Sequence, residues 1–168
     1  MTNVKFFVNL IALLIIQLAI LDNIQLHSYV YINIYILAIY ILPYRLSKAS
    51  ILLFGFFLGL FIDLANNTMG IHAAASTLIA YIRPRLLMLT SNREQIDDIQ
   101  GKQNISNFAW FFKYVIVSTA VFNVALIMAE AFSFHNFWIT LARMVCSTVA
   151  SVFFILLYYF IVLKKKQN

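Results

Sequence analysis

Long apolar runs separated by short polar punctuation make up most of the chain, and six can be read. They cover about Phe6 to Leu21, Ile24 to Leu42, Ala49 to Ala65, Ile71 to Leu89, Phe112 to Phe132 and Phe137 to Leu163. Backbone polar groups in lipid have to be satisfied within their own segment, so each run predicts a membrane-spanning helix and not a strand. The first run begins as a signal peptide does, with Lys5 ahead of an apolar stretch. Leu18-Ala19-Ile20-Leu21 offers no small-x-small cleavage site, so the run is read as a retained first helix.

Composition narrows the class further. Of 168 residues 63% are hydrophobic and 11% charged, with a mean hydropathy of +0.88. Soluble domains run at about 45–50% apolar and about 25% charged, and disordered chains are poorer still in apolar residues, so both classes are excluded. At roughly 20 residues per span, six spans leave little chain over. Residues 1–168 therefore read as a single six-helix transmembrane domain, all-α. The lone Cys146 has no partner for an intrachain disulfide, and no Cys/His spacing points to a metal. No cofactor is expected.

The basic residues set an orientation, because cytoplasmic loops collect Lys and Arg. Lys5, Arg45, Lys48, Arg83, Arg85, Arg93, Lys102, Lys113 and Lys164 to Lys166 all fall on one side of a six-span bundle. The opposite connections, Asp22-Asn23, Asn66 to Gly70 and Ser133 to Asn136, carry none, which predicts cytoplasmic termini. A net charge of +6 is thereby accounted for by topology, without a nucleic-acid partner. The one substantial loop, Thr90 to Phe111, reads as a solvated linker, Asp97 and Asp98 included.

Polar residues within the spans mark the faces turned from lipid. The third span aligns Gly55, Gly59 and Asp63, a small-residue stripe suited to close helix crossing. Thr119, Asn123 and Glu130 share a face of the fifth. Thr140, Arg143, Ser147, Ser151 and Tyr158 share one on the sixth, while Asn33 and Tyr40 fall in the second and Asn9 and Gln17 in the first. In the predicted orientation Asp63, Glu130, Arg143, Gln17 and Asn33 form a polar cluster in the outer half of the bundle. A lone arginine there costs at least about 2.5–3.5 kcal/mol, so Arg143 is expected to pair with Asp63, Glu130 or both. Arg83-Pro84-Arg85 predicts a kink with both arginines at the headgroups, and His72 and His135 read as exposed loop residues. The tyrosines of the second span show no interpretable order. Zinc-protease, nucleophile-elbow and phosphate-loop motifs are all missing from the sequence, and an enzyme is not expected.

Gly55-Phe56-Phe57-Leu58-Gly59-Leu60-Phe61-Ile62-Asp63-Leu64, followed by Gly70-Ile71-His72-Ala73 and an Ala/Ser/Thr-rich helix, resembles the central signature of the rod shape-determining protein MreD family. Leu42-Pro43 with Arg45 and Lys48 suits the stretch that precedes it. The resemblance covers mainly residues 40 to 85, with Gly55, Gly59, Asp63 and Gly70 as motif positions. It implies a non-enzymatic, multi-pass component of the bacterial cytoplasmic (inner) membrane that serves the elongasome, and hence cell shape and peptidoglycan synthesis. The implied partners are MreC and, through it, MreB filaments and the elongation transglycosylase/transpeptidase pair. It also implies a bundle like the substrate-binding subunit of energy-coupling-factor transporters, and a vitamin-binding subunit of that kind is the alternative function. Such subunits tend to dock through an Ala-x-x-x-Ala surface on the first helix, whereas Ala12 and Ala19 here are wrongly spaced. Asp63 is expected either to fix the end of its helix or to meet the spanning helix of MreC.

Overall fold

A computed structural model describes residues 3–21, 30–43, 46–91, 108–130 and 137–163. Helix α1 (Asn3–Ile15) runs into a π-helical turn, Ile16–Leu21, and α2 (Leu37–Tyr40) is a single turn. Four long helices follow: α3 (Lys48–Asn66), α4 (Ile71–Thr90), α5 (Phe108–Glu130) and α6 (Phe137–Tyr158), the last ending in a π-helical turn, Tyr159–Leu163. No strand occurs among the described residues. Helices α3 and α5 and the run Trp138–Val162 are long and apolar enough to cross a membrane, so the protein is membrane-embedded in character. Helix α4 is as long, but Arg83 and Arg85 make it more polar. The connections at Asp22-Asn23 and Ser133 to Asn136, residues 92–107 with Asp97 and Asp98, His135, Arg45 and Lys164 to Lys166 lie outside the described residues.

The long helices pack in chain order, α3 on α4, α4 on α5 and α5 on α6. Trp110 Nε1 donates to Ser91 Oγ, bringing the end of α4 to the start of α5, so these two helices run antiparallel. The C-terminal ends of α3 and α5 and the N-terminal ends of α4 and α6 thus meet at one end of the bundle. Phe57, Phe61, Leu64, Val149 and Phe153 point outward, as lipid-facing side chains would.

The second apolar run departs from expectation. Of its described part, residues 30–34 are not helical, 35 and 36 form a turn, and only Leu37–Tyr40 are helical. This segment occupies the middle of the bundle, with Ile34 to Ile39 at most 2% exposed. Irregular backbone survives at membrane depth only where protein surrounds it and satisfies its polar groups. The side chains that do so make up the candidate site.

Candidate functional site

Five backbone groups of the unwound segment meet side chains from neighbouring helical elements. Gln17, in the turn after α1, accepts from the Ile34 N–H at 2.9 Å and donates from Nε2 to the Ile32 carbonyl at 2.9 Å. Its amide thus stands in for a strand neighbour. Ser147 Oγ accepts from the Tyr31 N–H and Ser151 Oγ from the Asn33 N–H, both at 3.0 Å. Two residues of extended chain advance about 6.6 Å and four residues of helix about 6 Å. Alternate N–H groups of the segment therefore match serines four apart on α6, and this match requires a strand-like rise. Ser151 Oγ also donates to the Tyr31 carbonyl at 3.3 Å.

Side chains of the segment are held as firmly. Tyr31 donates its hydroxyl to Glu130 Oε1 at 2.7 Å and accepts from Arg143 Nη2 at 3.1 Å, with the guanidinium carbon 5.4 Å from the tyrosine ring centre. Arg143 pairs with Glu130 at 3.2 Å. Asn33 Nδ2 donates to Asn123 Oδ1 at 3.3 Å, and Asn123 reaches Thr148 at the same distance. The Tyr35 hydroxyl lies 3.0 Å from His72 Nδ1 and 3.3 Å from Ser76 Oγ, and the Tyr40 hydroxyl 3.4 Å from Thr119 Oγ1. Every long helix except α3 contributes.

Asp63 belongs to a separate arrangement. Gly70 occupies the cap position of α4 in the left-handed region, φ +82°, and has no side chain with which to cap. Asp63, reaching over from the end of α3, takes that role. Its Oδ1 accepts from the His72 N–H at 3.0 Å and from the Thr68 hydroxyl, and its Oδ2 from the Ala73 N–H at 2.8 Å. These N–H groups are the second and third of the helix, the pair a capping side chain normally serves, and a carboxylate there also meets the positive end of the helix dipole. The glycines let the two helices come this close. A Cβ on Gly59 would sit 2.6 Å from Ala73 Cα, and one on Gly55 2.8 Å from Ala80 Cβ.

The predicted cluster is therefore two structures. Glu130, Arg143 and Gln17 hold the unwound segment, to which Asn33 itself belongs, and Arg143 pairs with Glu130 and not with Asp63. Asp63, 2% exposed with both carboxylate oxygens engaged within its own hairpin, ties the end of α3 to the start of α4. His72 is buried, not in an exposed loop, because the capped helix begins one residue before it. Arg83 is also buried. Its Nη2 donates to the carbonyls of Leu42 and, at 3.4 Å, Tyr40, so it caps α2 and does not reach a headgroup, unlike the exposed Arg85. Helix α4 runs through Pro84 without a break. His72, Ser76, Tyr35 and Tyr31 are the contributors that sequence reasoning missed. A signal was present for the last two: Val30, Ile32, Ile34 and Ile36 alternate with Tyr29, Tyr31, Asn33 and Tyr35, a period of two.

No protein-family model matches the chain, and no curated protein or solved structure matches it either.

Proposed function

We infer that this chain is a non-enzymatic component of the bacterial inner membrane that serves the rod-shape machinery as an MreD-type protein. In this reading it crosses the membrane six times with cytoplasmic termini. It binds MreC and, through MreC, supports MreB filaments and the elongation transglycosylase/transpeptidase pair. The observation that carries the reading is the unity of the signature residues. Gly55, Gly59, Asp63, Gly70, His72 and Ala73 meet in one hairpin, each with a distinct steric or capping task. A chance string of small residues and one acid has no reason to interlock in this way.

The interior polar groups favour this reading over a vitamin-binding subunit. Gln17, Ser147 and Ser151 are engaged with the chain's own backbone, where a ligand site would need such groups turned to a cavity. With Asp63 enclosed, its part in partner binding is to shape α3 and α4. Depletion from a rod-shaped host tests the function. Rounded cells with mislocalised wall synthesis, and recovery by the wild-type chain, are the expected result. Asp63→Leu at equal protein level is expected to lose both recovery and co-purification with MreC. Intact shape with vitamin auxotrophy on depletion would instead assign the chain to transport.

A further inference from the structure

The run Ile24 to Leu42 contains neither Gly nor Pro, so nothing in its covalent chemistry forbids a helix. In lipid, without neighbours, such a run has to be helical in order to pair its own backbone. Residues 30–34 are nevertheless unwound, and the groups that permit this come from far along the chain. Asn123 lies 90 residues from Asn33, Glu130 lies 99 from Tyr31, and Ser147 and Ser151 lie 116 and 118 from the residues whose N–H groups they accept. Until α5 and α6 stand beside the segment, the N–H groups of Tyr31 and Asn33 have no partner outside it. The β-branched residues Val30, Ile32, Ile34 and Ile36, with Tyr31 and Tyr35, lower its helix preference and suit a strand, so a few side-chain bonds decide the outcome.

We propose that residues 30–34 form a conformational switch, helical while α6 is undocked and unwound once Ser147 and Ser151 engage, so that docking of α6 and unwinding of the second segment are one event. The segment then reports whether the bundle is closed. Tyr31 is its latch, held by α6 at both backbone groups and by Glu130 and Arg143 at the hydroxyl.

The test is solid-state NMR of the full chain in lipid bilayers, reading backbone carbon shifts of Ile32 and Ile34. The wild type is expected to give non-helical shifts at both. Ser147→Ala with Ser151→Ala should give helical shifts there, with α3 and α4 unchanged, and each single substitution should raise the helical-to-unwound ratio about tenfold. The paired Ser147→Thr and Ser151→Thr variant keeps both hydroxyls and should stay unwound. Non-helical shifts in every alanine variant, or helical shifts in the threonine pair, overturn the proposal. If the double alanine variant does not accumulate, the singles decide alone, and no rise in their helical population overturns it.

Discussion

The α3–α4 hairpin and the unwound segment satisfy the same requirement, that buried backbone find partners, by opposite means. In the hairpin every helper is local: Gly55 and Gly59 permit contact, and Asp63 caps a helix that begins within ten residues of it. In the segment the helpers are remote, drawn from α5, α6 and the turn after α1. Local satisfaction makes a unit that needs little else, whereas remote satisfaction makes one that depends on assembly of the whole bundle.

The largest effect expected of this contrast is at Gly59. A side chain there strikes the Ala73 backbone, which cannot rotate aside, so Gly59→Leu should cost about 3 kcal/mol or more and lower the amount of folded protein in the membrane. Unchanged stability in a denaturant titration would remove the close crossing as the basis of the hairpin. Asp63→Leu comes next, at about 3 kcal/mol, since it strips two helix N–H groups and the Thr68 hydroxyl of a charged acceptor, and Asp63→Asn should recover roughly half of that by retaining one oxygen. Gln17→Leu probes the remote arrangement. It strands the Ile32 carbonyl and the Ile34 N–H and should cost about 1–2 kcal/mol, seen as a lower thermal midpoint in bilayers. The smallest effect belongs to the ion pair. Arg143 and Glu130 are 22% and 36% exposed, so a double-mutant cycle of Arg143→Leu with Glu130→Gln should return a coupling of about 0.5–1 kcal/mol. Strictly additive costs would reduce the pair to two independent contacts with Tyr31.

The contrast also explains what could be read in advance. Where partners are local, the sequence speaks plainly: α3 and α4 lie within a residue of the predicted Ala49 to Ala65 and Ile71 to Leu89, and the predicted Phe112 to Phe132 and Phe137 to Leu163 lie close to α5 and α6 with its terminal turn. The inward faces that carry Thr119, Asn123, Ser147 and Ser151 followed from helical spacing and are buried. Where partners are remote, the same reading fails. Hydropathy reports how apolar a run is and not which backbone it uses, so Ile24 to Leu42 read as a helix, although its alternation of tyrosine with β-branched residues carried the other answer. Arg83 and His72 were misplaced for a related reason. His72 is polar beside a helix start and Arg83 polar in the C-terminal half of α4, where exposure is usual, and the three-dimensional neighbours, the Tyr35 hydroxyl and the Leu42 carbonyl, keep them inside.

Helix α4 grips the central segment twice, through His72 on Tyr35 and through Arg83 on the Leu42 carbonyl, points about three turns and roughly 16 Å apart along its axis. A rod fastened at one point can pivot, but a rod fastened at two cannot turn about its own axis without shearing one attachment. Any torque delivered to the α3–α4 hairpin is therefore passed to the buried segment at Tyr35 and Leu42 together, and hinge and shaft are the same piece.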